Sequence, residues 1–171
     1  MSYLERVFET AAEAVTIPNP LTLANATLNV ATLGAVAFAG KITQRVETVT
    51  AVKTLTADDS GKTIFINHAT GFAITLPAPA AGLWFKFIVN TPPTTGNHTI
   101  VTNGTTQKVL KGLIVCATHD DTGDSSAGGT TLTFVANQAV AGDCVEMICD
   151  GTDWFVLGHV KVTEGLTITG E

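Results

Sequence analysis

Between Thr54 and Val89 short β-rich runs alternate with compact turn signals, and this alternation limits the possible folds more than any other feature of the chain. The runs are Thr63–Asn67, Phe72–Leu76 and Leu83–Val89; the turns are Asp58-Asp59-Ser60-Gly61, Ala69-Thr70-Gly71 and Pro77-Ala78-Pro79. Runs rich in β-branched and aromatic residues, bounded by Gly, Pro, Asn, Asp and Ser, read as strands, and strands this closely spaced predict a small antiparallel β domain. Within the third run, alternation puts Phe85 and Phe87 on one face and Trp84 on the other.

The same grammar extends through the rest of the chain. Lys41–Thr56 alternates imperfectly and reads as one or two strands. Asn90–Asn97 has the composition of a surface loop. Thr99–Thr102 and Thr106–Leu110 flank Asn103-Gly104, a strong hairpin signal because a type I′ turn needs positive φ at both central positions. Lys111–Ala117 reads as strand and His119–Gly129 as a polar loop. Thr131–Ala136, Cys144–Cys149 and Trp154–Val162 complete a set of nine or ten strands from Lys41 onward. Leu132 shares a face with Phe134, and Val145 with Met147. Short strands joined by brief connections predict a compact β-sandwich or small barrel.

Ahead of this domain, over residues 1–40, the pattern changes. Tyr3, Leu4, Val7, Phe8, Ala11, Ala12 and Val15 recur at helical spacing and predict an amphipathic helix over 2–15. Ser2 and Glu5 fit a capping box, and Pro18 and Pro20 end the helix. So short a helix is marginal alone in water; its stripe packs either on the chain's own β domain, 41–171, or on a partner subunit. From Ala14 to Gly40 no residue is charged. Pro18, Asn19, Pro20, Asn25 and Asn29 break this run too often for a membrane span. Its strand-like pairs Leu21, Leu23 and Leu28, Val30, followed by Phe38 in a small-residue stretch, predict an extended docking arm. Leu4, Val7, Phe8, Leu21, Leu23, Leu28, Val30 and Phe38 are therefore the expected contacts with a partner or a neighbouring subunit.

Composition favours assembly over a solitary monomer. Only 14% of residues are charged, against roughly 25% in an ordinary soluble domain. Threonine occurs 29 times and favours strands. The net charge of −6 is dispersed, and no basic cluster exists to neutralise phosphates, so nucleic acid is disfavoured as a partner. Acids stand where a signal peptide would carry bases, and Cys116, Cys144 and Cys149 read as reduced thiols of a chain made in a cytosol.

The candidate chemistry is thin. Gly61-Lys62-Thr63 ends like a P-loop, but Thr56 stands where its first glycine belongs and no helix follows. Asp120, Asp121 and Asp124 cluster beside His119 without the EF-hand order. Cys116 and His119 have zinc-like spacing but lack a second pair, since Cys144 and Cys149 point to opposite faces of one strand. His68, His98, His119 and His159 are scattered, with no nucleophile elbow. The sequence predicts no enzyme, no metal and no cofactor. The aromatics Trp84, Phe85, Phe87, Trp154 and Phe155 read chiefly as core, and whichever of Trp84 and Trp154 is exposed is the candidate contact residue.

The opening Thr54-Leu55-Thr56 with Asp59-Ser60-Gly61-Lys62-Thr63, the middle Thr75-Leu76-Pro77 with Gly82, and the closing Asp150-Gly151-Thr152-Asp153-Trp154 together resemble a module of tailed-phage virion proteins. The resemblance runs from about Thr54 to Leu157 and is closest to capsid decoration (cement) proteins. It implies a structural role on the virion surface, binding the major capsid protein and copies of itself as a homotrimer. A tail-fibre or baseplate component is the alternative in the same setting, and a carbohydrate-binding module the alternative from another class.

Overall fold

The computed structural model describes residues 43–104, 110–117 and 125–170. The chain divides into two units, Met1–Lys41 and Ile42–Glu171. The expected helix over 2–15 and the arm residues Leu4, Val7, Phe8, Leu21, Leu23, Leu28, Val30 and Phe38 lie outside the described residues.

The second unit is a β-sandwich of two mixed sheets. Its strands are β1 (Val46–Val49), β2 (Lys53–Thr54), β3 (Thr63–Asn67), β4 (Ala73–Thr75), β5 (Trp84–Thr91) and β6 (His98–Val101). They are followed by β7 (Leu110–Cys116), β8 (Ser125–Gly129), β9 (Thr131–Phe134), β10 (Cys144–Cys149), β11 (Trp154–Val160) and β12 (Leu166–Thr169). One sheet has the order β1-β3-β5-β10-β11-β7-β8 and the other β12-β9-β6-β4-β2.

The first six strands alternate between the sheets. β1, β3 and β5 pair in parallel in one, and β2, β4 and β6 in the other. The chain thus winds through three stacked coils, each giving one strand to each layer. The expected antiparallel domain is corrected here, because strand alternation is the same for parallel and antiparallel neighbours. The coils are unequal, with Val46 opposite Thr63 and Thr63 opposite Lys86, so no sequence repeat marks them.

The second half is mainly antiparallel and closes the stack. β9 pairs with β6, β10 with β5, and β12 with β9. The β10–β11 hairpin fills the space between β5 and β7, and β11 runs parallel to β7. Of the hairpin expected at Asn103-Gly104, residues 105–109 lie outside the described residues, and the first expected strand is not free to pair with them. Both edges of β6 are taken by β4 and β9, and β7 lies in the other sheet. Gly104 has φ +119°, but Asn103 is not among the residues of positive φ, so the turn is not type I′. The end of the expected polar loop, Ser125–Gly129, is an edge strand instead, paired with β7.

Between the layers lies one apolar core. Phe85, Phe87, Phe134, Leu132, Ile64, Ile66, Ile74, Ile100 and Trp154 are fully buried, and Trp154 packs 5.8 Å from Phe85. Buried polar groups hold the connections. The Asp143 carboxylate accepts the backbone N–H groups of Val140 and Lys161, each at 2.9 Å. His98 Nε2 faces the His68 carbonyl at 2.8 Å while its Nδ1 accepts the Phe72 N–H at 3.3 Å. Those partners fix one neutral tautomer, and burial holds the imidazole pKa below its ordinary value.

At the first coil, β1 and β2 are edge strands among the described residues. An ion network spans them. Glu47 on β1 meets Lys53 on β2 and, at 2.8 Å, Lys62, which also reaches Asp59 at 2.5 Å. Its bond to Lys62 lowers the Asp59 carboxyl to about 2, and the bonds to Lys53 and Lys62 lower Glu47. Charges near a sheet edge discourage pairing with a stray strand.

Candidate docking face

Three rows of side chains cross the outer surface of the seven-stranded sheet, fixed by its register. Trp84 lies beside Ile148, Ile148 beside Phe155 and Phe155 beside Lys111. The second row is Lys86, Glu146, Leu157 and Leu113; the third is Ile88, Cys144, His159 and Val115. Their neighbours along each strand point inward. Phe85 and Phe87 are sealed in the core while Trp84 is 40% exposed, as alternation requires.

The face is unusually apolar for a surface. Ile148, Leu113, Phe155, Val115, Leu157 and Trp84 are exposed by between 40% and 54%, and they lie on four adjacent strands. Neighbouring strands stand about 4.8 Å apart, so these residues form one patch rather than scattered points. An open depression of about 380 Å³ sits in it, bounded by Trp84, Ile148, Phe155, Leu157 and Glu146. Contiguous apolar patches rimmed by polar residues mark interaction sites, whereas single exposed apolar residues are ordinary.

Local chemistry positions the patch. Ser60 Oγ accepts the Trp84 backbone N–H at 3.1 Å, and Gly61 N–H donates to the Trp84 carbonyl at 2.9 Å. Gly61 has φ +86°, and the space a Cβ would take there lies 3.8 Å from the indole, so the turn forms a shelf under Trp84. On the next strands, the Asp150 carboxylate accepts the N–H groups of Thr152 and Asp153 at 2.8 Å each, closing the turn that aligns β10 with β11. Those two bonds, Asp153 first, hold the Asp150 carboxyl below its usual range.

The charges on this surface are already matched. Lys86 Nζ lies 2.7 Å from Glu146, which raises the lysine pKa, and Lys111 pairs with Asp153 at the rim. A patch with its charges matched and aromatics concentrated in it has the composition of a protein interface core.

Of the two tryptophans, Trp84 is the exposed one and Trp154 is fully buried. Phe155, expected in the core, faces outward beside Ile148. Lys62 sits in a turn, tied to Glu47 and Asp59. His119, Asp120, Asp121 and Asp124 lie outside the described residues, among which no group of three His, Cys, Asp or Glu is placed to hold a metal ion. The sequence does not single out Ile148, Leu113 and Val115 as exposed, because an alternating strand shows that its two faces differ, not which one meets the core. The available signal was the apolar character of both faces of β10 and β11. No family model, curated protein or solved structure matches the chain.

Proposed function

We propose that this chain is a structural protein of a tailed-phage particle, a decoration subunit that binds the assembled shell and stabilises it. The observation that carries this reading is the outer face of the seven-stranded sheet, where Trp84, Phe155, Ile148 and Leu157 stand in water on a rigid support. A subunit of an assembly needs such a face, toward the shell or toward another copy; a solitary domain gains nothing from it.

The residues behind the phage resemblance are accounted for by the architecture. Thr56 and Asp59 cap each other, with the Thr56 N–H and hydroxyl both on the Asp59 carboxylate. Leu76 and Pro77 are buried between β4 and β5, and Asp150 closes the β10–β11 turn. These are scaffold roles, as a structural module requires. Binding to the shell in preference to free subunits stabilises it by mass action, and several contacts per oligomer add avidity. The sugar-binding alternative is less favoured, because Lys86 and Glu146 beside the depression are bonded to each other rather than aimed at a ligand.

The test is to count the protein and locate it in purified particles from a producing host, by quantitative mass spectrometry and immunogold labelling. Many copies on the head support the proposal, and a few at the tail favour the fibre or baseplate alternative. Absence from particles refutes both.

A further inference from the structure

We infer that the occupant of the outer face of the seven-stranded sheet is the same face of a second copy of this chain. The inference rests on the reading of that face as an interface and names its partner.

Charge is the first reason. The chain carries −6, so two copies repel unless they meet through a surface that is itself neutral. This face meets that condition. Lys86 is paired with Glu146 and Lys111 with Asp153, each within its own chain. Identical faces can then approach without placing unmatched like charges together. A strongly acidic or basic partner would find no complementary field here.

Size is the second. Six apolar side chains exposed by 40% to 54%, two of them aromatic, present on the order of 500 Å² of apolar surface if aromatic side chains span roughly 150–250 Å² each. With the flanking ion pairs, the face approaches the ~800 Å² per partner of a standard specific interface. Shape is the third. Trp84 forms one wall of the depression of about 380 Å³ and is 40% exposed. Across a symmetric contact, Trp84 of each copy can enter the depression of the other, between Ile148, Phe155 and Leu157. The same residues serve both sides, as an isologous contact requires.

Sedimentation velocity on the full chain, from about 1 to 100 µM, provides the test, run in parallel on Trp84→Lys/Leu157→Lys and on a control, Val52→Lys. Val52 is 73% exposed and lies between β1 and β2, away from this face. The parent and the control should sediment as dimers, at twice 17.7 kDa. The double variant should be monomeric at the same concentrations, with its apparent affinity weakened at least 100-fold and its circular dichroism unchanged. A parent that stays monomeric to 100 µM, or a folded double variant that stays associated, overturns the inference.

Should the double variant misfold, the unmodified chain still decides. Trp84 is the exposed tryptophan and Trp154 the buried one, so dilution through dissociation should shift tryptophan emission to the red. Dissociation without that shift places the contact elsewhere and overturns the inference. A monomeric chain found at high copy on particles would refute self-association alone, and an oligomer absent from particles would refute the virion role alone.

Discussion

Asp143 joins two connections that neither sheet ladder holds, and replacing it tests how much they depend on one carboxylate. Its side chain is 3% exposed, and its oxygens accept the N–H groups of Val140 and Lys161 at 2.9 Å each. Asp143→Ala leaves both donors without that acceptor. A hydrogen bond to a charged group contributes about 1.5–3 kcal/mol. Lys161 is exposed, so water can replace part of its loss. The expected cost is therefore about 2–4 kcal/mol for the pair. In a domain of this size that lowers the melting temperature by about 5–15 °C. Asp143→Asn keeps one acceptor oxygen but turns an NH₂ group toward the second N–H, and should cost about 1–2 kcal/mol. Urea unfolding followed by tryptophan emission gives both values as midpoint shifts at constant slope. An alanine variant whose midpoint matches the parent would refute the reasoning, because the two bonds would then contribute nothing beyond what water supplies.

Four further outcomes are expected. Phe85→Ala should cost about 3–5 kcal/mol by opening the core, while Trp84→Ala, one residue away on the outer face, should change the urea midpoint of the monomer by less than about 1 kcal/mol. Gly71→Ala should unfold the domain or force the chain apart, since its Cβ would stand 2.2 Å from the Asn97 carbonyl oxygen, a backbone atom; thermal melting decides. The lowered pKa of His98 means the unfolded chain binds its proton first. Stability from this residue is complete above about pH 6.5 and lost as pH falls toward the folded value, so His98→Asn should flatten the dependence of the urea midpoint on pH in that window. Asp59, held at about 2 against an ordinary 3.8, contributes stability above the ordinary value that disappears as pH falls through the folded one. Lys62→Met should cost about 1 kcal/mol at neutral pH after solvent screening and make acid unfolding shallower between about pH 4 and 2, as read by circular dichroism.

Strand positions were legible because they are local. β3 and β10 begin and end where the β-branched runs do, and Phe85 and Phe87 fall inside as alternation dictates. Strand partners were not legible. Whether β3 pairs parallel with β5 or antiparallel with β4 depends on which layer each strand enters, and alternation carries no such information. β8, with the sequence Ser-Ser-Ala-Gly-Gly, has almost no strand propensity and exists through pairing with β7. β12 was missed after the loop at Thr163–Gly165, although Leu166 is fully buried. The outer face is half legible: the sequence marks Trp84 as a contact if exposed but places Phe155 with the core. Which face of β11 points to water is decided by β12, whose Leu166 packs against Gly158 on the other side, information held later in the chain.

The late position of the β10–β11 hairpin sets a timetable. β5 and β7 are complete by residue 116, yet they are not neighbours; the two strands that separate them come from residues 144–160. On a chain emerging from the ribosome, the patch does not exist until this last hairpin slides in, because its rows draw on β5, β10, β11 and β7 together. Nascent chains and fragments cut before residue 144 therefore lack the face through which, on the inference above, two copies meet. On that inference, synthesis past residue 160 licenses association, and shorter copies are kept out by topology alone.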